Sequence, residues 1–265
     1  ENFPGYPTGI QGPEMMEELK AQAERFGTEV RMEEATKVDF SQQPYTVIVE
    51  DDYKIEAGTV IIATGASAKY LGLESEEAFK GSGVSACATC DGYFYRDKTV
   101  AVVGGGDSAC EEASYLSGLA KKVYMIVRKP YLRASKVMQE RVEQDPKIEI
   151  LYEHNTRELY GEKVLEGVKL LKKKGTPEEE EVDLKIDGFF LAIGHHPNSD
   201  IFQEYIKTDD EGYIITEPGS TKTNLEGVFA AGDIQDRTYR QAITAAGSGC
   251  QAALDEERYL GTRKF

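Results

Sequence analysis

The sequence predicts an α/β protein of two units, and three observations carry that prediction. A β-branched strand at Lys98–Val103 runs into Gly104-Gly105-Gly106-Asp107-Ser108-Ala109, followed by a helix over Cys110–Ser117 and a strand over Lys122–Val127. This is a βαβ unit with a G-x-G-x-x-A turn between strand and helix, the Rossmann-like arrangement for a dinucleotide. Elsewhere, two buried-type strands, Thr59–Ala63 and Gly227–Asp233, end in small residues that let a ligand approach the backbone. The glycine turn and these two strands lie in different parts of the chain, so the expected fold is two Rossmann-like nucleotide-binding domains.

Each element follows from its local pattern. The chain opens without a methionine, inside a Pro/Gly-rich loop over 3–13, which leaves the natural start either trimmed or missing. Pro13 starts an amphipathic helix with Met15, Met16, Leu19, Ala23 and Phe26 at helical spacing. Alternating apolar and polar residues predict strands at Glu29–Met32, Val38–Phe40, Tyr45–Val49 and Lys54–Ala57. Past the βαβ unit, Glu149–Tyr152, Val164–Leu171 and Val182–Ile186 read as a meander of edge strands, interrupted by a solvated charged hairpin over 172–181. Gly188–Ile193 is a further buried strand. The stretch Gly194-His195-His196-Pro197-Asn198 reads as a connection, and Arg240-Gln241-Ala242 opens a helix through Tyr259 whose N-terminus can face a polar ring or a phosphate.

Composition narrows the function classes. The chain has 265 residues, 40% hydrophobic, enough to bury a real core. Lys+Arg 31 against Asp+Glu 47 gives a net charge of -16, which argues against nucleic acid or an anionic membrane surface as partner. Any bound phosphate therefore needs a local basic pocket. No apolar run reaches the about 20 residues of a membrane span, and the first residues show no signal pattern, so a cytoplasmic location is expected.

The chemistry-bearing residues sit in two places. Cys87-Ala88-Thr89-Cys90-Asp91 has the spacing at which two sulfurs can cycle between dithiol and disulfide, with a carboxylate beside them to manage protons. Four cysteines are too few for a secreted disulfide scaffold, so the pair reads as catalytic or metal-binding. Zinc would need two more ligands, and only His195-His196 offers a second close pair, with no carboxylate or cysteine at ligand spacing beside it. Cys110 and Cys250 fall in predicted helices among small residues and read as small buried apolar side chains. The second place is the end of the strand after the glycine turn. An NAD site usually carries Asp or Glu there, about 20 residues past the loop. This chain has Arg128, Lys129 and Arg133, which suit a 2'-phosphate and favour NADPH; a solvated basic turn is the alternative.

Taken together, these motifs resemble the low-molecular-weight thioredoxin reductases, from Asn2 to about Leu260. The resemblance is carried by Ile61-Ile62-Ala63-Thr64-Gly65-Ala66, the redox stretch from Ala86 to Gly92, the turn from Gly104 to Ala109, Arg128 with Arg133-Ala134, and Gly227 to Asp233 followed by Arg240-Gln241-Ala242. It implies an FAD domain over 1–67 and 197–265, interrupted by an NADPH domain over 68–196 that holds both cysteines. Electrons would pass from NADPH through FAD to the disulfide and on to thioredoxin. The family pattern makes Cys90 the sulfur nearest the flavin, Cys87 the one that attacks thioredoxin, and Asp91 the proton donor and acceptor. It assigns Gly104, Gly106, Asp107, Ser108, Arg128, Lys129 and Arg133 to NADPH. It assigns Asp233 to the ribityl chain, Arg240, Gln241 and Ala242 to the flavin ring region, and Asn2, Thr64 and Gly65 to lesser flavin contacts. Tyr93 and Phe94 resemble the thioredoxin-docking patch, with packing inside the domain as the alternative. A homodimer is implied by the family alone.

Three departures qualify the resemblance. Nothing before Gly104 resembles G-x-G-x-x-G, so the first βαβ unit, which holds the FAD pyrophosphate, is missing and the chain is expected to hold FAD poorly or not at all. Val127 and Lys129 stand where the family more often has His and Arg. Asp107-Ser108 stands where it commonly has Asn-Thr.

Overall fold

The computed structural model describes residues 2–262, and the chain divides into two compact units, Glu1–Ser67 with His196–Phe265 and Ala68–His195. The first helix, α1 (Gly12–Glu24), carries proline in its first turn, where the missing N–H costs nothing. Its apolar face does not pack as the sequence pattern predicts. No residue of α1 is buried, Met16 is exposed, and Phe26 just past the helix is 76% exposed. The core of this unit is built elsewhere. Strands β1 (Ala35–Asp39), β2 (Tyr45–Val49) and β3 (Tyr53–Ala57) form an antiparallel sheet, and Val38, Phe40 and Tyr45 pack with Phe202, Ile206 and Ile214. The strand expected at Glu29–Met32 does not form either. Pairing with β2 begins only at Ala35, and Met32 is 88% exposed, because alternation without a neighbouring ladder leaves the backbone groups to solvent. The small-residue strand is β4 (Val60–Ile62), shorter than the run that announced it.

Strand β5 (Ala66–Ala68) leads into the second unit. There the chain forms α2 (Glu74–Ala78), β6 (Val84–Ser85), α3 (Ala88–Asp91), β7 (Thr99–Val103), α4 (Asp107–Ser117), β8 (Lys122–Val127), α5 (Lys136–Gln144) and β9 (Ile148–Tyr152). Next come β10 (His154–Tyr160), β11 (Gly167–Lys172), β12 (Glu180–Lys185) and β13 (Gly188–Leu191). Five strands make one parallel sheet in the order β6-β13-β7-β8-β9. The expected meander is thus corrected at one end. Ile148–Tyr152 pairs in parallel with β8, and the antiparallel partners are β10, β11 and β12, the last two joined by the charged hairpin.

Alternation along β7 shows how the sheet is filled from both sides. Val100 and Val102 join Cys110, Leu116 and Val142 of the α4 and α5 layer, whereas Ala101 and Val103 join Leu159, Val168 and Leu170 of the meander. Both faces are covered, which is why β7 and β8 read as continuous apolar runs. Each fully buried Val, Leu or Phe contributes about 1.5–3 kcal/mol. The 194–198 stretch, expected as a plain connection, contains β14 (His195–Pro197), which pairs with β5. The chain ends with β15 (Val228–Ala230), parallel to β4, and α6 (Ala242–Gly261), which opens on a capping box between Gln241 and Thr244.

Candidate active site: a disulfide, a glycine turn and a small-residue cleft

In the second unit, Cys87 and Cys90 are joined, with an S–S distance of 2.05 Å and Cα atoms 5.3 Å apart. The local fold follows from short polar residues. Ser85 Oγ accepts from the Cys87 N–H at 3.0 Å, and Cys87 caps the turn of α3, its sulfur accepting from the Cys90 N–H at 3.2 Å. Both cysteines and Asp91 are half-buried, so the sulfurs are reachable without being loose. Gly92 lets this turn lie flat on α4, since a Cβ there would come within 3.0 Å of Leu116 and 3.1 Å of Tyr115. The Gly92–Tyr95 turn then presents Tyr93 (59%) and Phe94 (56%) to solvent, with the Arg96 guanidinium over the Tyr93 ring, while Tyr95 turns inward against Phe190.

The glycine turn lies between β7 and α4. Gly104 sits at φ +146°, and a Cβ there would be 2.5 Å from the Ala192 carbonyl oxygen and 2.8 Å from Ala109 Cβ. Gly105 lies 3.1 Å from Val127 by the same measure, but Gly106 meets nothing within 4 Å. Two glycines therefore serve packing, and the third opens the N-terminal end of α4. The basic segment closes over this turn. Arg133 and Ala134 donate their N–H groups to the Gly105 carbonyl at 2.6 and 3.2 Å, and Arg128, Lys129 and Arg133 are exposed. Asp107 is the first residue of α4, and the Ser135 N–H donates to its Oδ1 at 2.9 Å. That hydrogen bond holds the Asp107 carboxyl below the usual range, with the Ser135 side chain adding to it. An open glycine, a helix N-terminus and three exposed cations fit a phosphorylated nicotinamide nucleotide.

In the first unit, a cleft of about 230 Å³ is lined by Ala63, Gly65, Ala231, Gly232, Asp233, Gln241, Ala242, Ala245 and Gly249. Burial raises the Asp233 carboxyl above its usual range, Asp236 adds in the same direction, and Arg240 opposes. Asn2 donates to Gln241 Oε1 at 2.8 Å, tying the start of the chain to the start of α6. Arg240 holds φ +46° and donates its backbone N–H to Asp236 and its guanidinium to the Arg237 carbonyl, so it turns back on its own loop. Thr64 donates to the Asn198 carbonyl at 2.8 Å rather than toward the cleft lining. These residues fit the ring and ribityl end of a flavin. Sequence reasoning missed Ala245 and Gly249. Their spacing from Ala242, three and seven residues on, is a one-face helical stripe and was a usable signal.

Two side readings are corrected. His196 does meet a carboxylate, Asp200, at 3.2 Å, but among the described residues no group of three or more His, Cys, Asp or Glu is arranged to hold a metal. Cys110 is buried as expected, whereas Cys250 is exposed, because α6 buries only Ala252. Among the described residues no helix is long and apolar enough to cross a membrane.

Parallel sheet, glycine turn and Cys-x-x-Cys disulfide define a nucleotide-dependent disulfide oxidoreductase, and comparison with known proteins agrees. Residues 5–249 match the pyridine nucleotide-disulphide oxidoreductase family. The chain is 52% identical to the mitochondrial thioredoxin reductase of Kluyveromyces lactis, over 98% of its own length and 75% of that protein's. It is 50% identical to thioredoxin reductase 1 of Saccharomyces cerevisiae, over 98% and 82%. Among solved structures, thioredoxin reductase from Giardia duodenalis superposes with a TM-score of 0.91 at 39% identity, over 99% of this chain and 85% of that one. The chain belongs to the pyridine nucleotide-disulphide oxidoreductases and, within them, to the thioredoxin reductases.

Proposed function

We propose that this chain is an NADPH-dependent thioredoxin-disulfide reductase. The observation that carries the reading is that the turn bearing the Cys87–Cys90 disulfide packs, through Ala88 and Gly92, on α4, the helix that the glycine turn and its basic rim lead into. NADPH is assigned to residues 68–196, at Gly104, Gly106, Ser108, Arg128, Lys129 and Arg133. The flavin is assigned to 1–67 and 197–265, at Asp233, Gln241, Ala242, Gly65 and Asn2. FAD, when bound, relays two electrons from NADPH to the disulfide. The chain's own residues do the rest. The Cys87 thiolate attacks a disulfide sulfur of thioredoxin, giving a mixed disulfide, and one partner sulfur leaves as a thiolate that takes up a proton. Cys90 then attacks Cys87 Sγ, which re-forms the internal disulfide and releases the second partner sulfur. Asp91, directly after Cys90, takes and returns the proton that makes the thiolate.

Tyr93 and Phe94 are the proposed docking patch for thioredoxin, since both are exposed one turn beyond the sulfurs. A homodimer is proposed from family membership, and the unburied apolar face of α1 supports it. A cytoplasmic location is proposed; the Kluyveromyces relative is mitochondrial by name. Flavin absorbance of the purified protein and NADPH-driven reduction of thioredoxin test the reading. Coloured protein that reduces thioredoxin supports it, coloured protein inert toward thioredoxin points to another dithiol partner, and protein that stays colourless after incubation with FAD overturns it.

A further inference from the structure

A carboxylate at the mouth of a phosphate site is an unexpected residue. Asp107 stands at the first position of α4, beside the glycine turn, where its charge would repel a dinucleotide if it faced the ligand. It does not stand alone. Three consecutive N–H groups of the basic segment turn toward the glycine turn: Arg133 and Ala134 to the Gly105 carbonyl, and Ser135 to Asp107 Oδ1 at 2.9 Å. Gln139 of α5 braces the same segment from behind, donating to the carbonyls of Ala134 at 2.7 Å and Leu132 at 3.4 Å. Leu132 is buried, so the segment is anchored on its inner side while Arg133 remains exposed at its outer edge.

We propose that Asp107 is a positioning residue for nucleotide discrimination: it ties Ser135 to the start of α4, thereby fixing Arg133 at the rim of the glycine turn, and does not itself contact the nucleotide. Its negative charge is met by the Ser135 N–H, with the Ser135 side chain adding to it, which explains how an aspartate is accommodated where an asparagine would serve. The residue matters for the 2'-phosphate alone, because only that group meets the basic segment. The inference rests on the NADPH assignment of the second unit.

The test uses the whole chain and two flavin-independent probes, 2',5'-ADP and 5'-AMP, titrated calorimetrically. Asp107→Ala is expected to weaken 2',5'-ADP binding by roughly 3- to 10-fold, the worth of one hydrogen bond, and to leave 5'-AMP within about twofold. Asp107→Asn keeps an acceptor for the Ser135 N–H and is expected to retain the discrimination. Ser135→Pro removes the donor at a residue whose φ of -57° suits proline, and is expected to reproduce the loss without adding to that of Asp107→Ala. A preference for 2',5'-ADP that survives Asp107→Ala, or equal changes for both probes, overturns the inference and leaves the NADPH assignment standing. A wild-type chain with no preference for 2',5'-ADP overturns both.

Discussion

The sulfur of Cys87 accepts the Cys90 N–H and lies half-buried, with Asp91 next in sequence to its partner. If Cys87 is the attacking sulfur, Cys87→Ser leaves flavin reduction by NADPH intact and abolishes disulfide transfer; normal thioredoxin turnover in this variant would sink the assignment. Cys110 behaves oppositely. Burial first, then the nearby Asp107, Glu111 and Glu143 charges, pushes its thiol up to about 11 from an ordinary 9.0. A raised thiol favours the protonated, folded state, so its contribution is complete below the ordinary value and is lost as pH climbs from there toward about 11. At pH 8, iodoacetamide should therefore label exposed Cys250 quickly and Cys110 only on unfolding, as mass spectrometry of the native and denatured protein would show. The Cys-x-x-Cys pair was visible in the sequence as a spacing. The Ser85 Oγ that accepts the Cys87 N–H was not, since that bond depends on which atoms the turn brings together.

At the level of elements, the turn between β7 and α4 is where sequence and structure agree most closely. A strand, three glycines and a helix leave few alternatives, and the observed β7, α4 and β8 lie within a few residues of the expected spans. Gly104→Ala should cost about 1–3 kcal/mol or more, because the residue would carry a side chain at φ +146° with its Cβ driven against the Ala192 carbonyl. Gly106→Ala meets open space, so it should melt near the wild type while weakening NADPH binding; equal stability loss at both glycines would refute this division of roles. On the basic segment, replacing Arg128 and Arg133 by Ala should raise the KM for NADPH about tenfold or more and that for NADH little. Equal effects on the two cofactors would undercut the 2'-phosphate reading. The strand expected at Glu29–Met32 failed for a reason of the same scale: alternation marks a face, but a strand needs a neighbour to take its hydrogen bonds.

At the scale of the whole molecule, each unit stands as its own compact body. The second is interrupted nowhere, and it holds both the disulfide and the glycine turn. Exposed Tyr93 and Phe94 belong to that body, and their joint replacement by Ala should raise the KM for thioredoxin with little change in flavin reduction by NADPH. An unchanged KM would move docking to another surface. The first unit is assembled from segments far apart along the chain, and its cleft lies where the paired strands β4 and β15 end beside the start of α6.

The sequence by itself determined the chemistry. The cysteine spacing, the glycine turn and the basic residues after the second strand are local patterns, each enforced by sterics or charge within a few residues, and together they pointed to family, cofactors and reaction. Only the tertiary structure decided which patterns were used and how. It turned the Asp107 carboxylate to Ser135, moved Ile148–Tyr152 into the parallel sheet, left the apolar face of α1 unburied and exposed Cys250. Burial, hydrogen-bond partners and strand neighbours are set by residues far apart along the chain, and local pattern carries no record of who the neighbour will be.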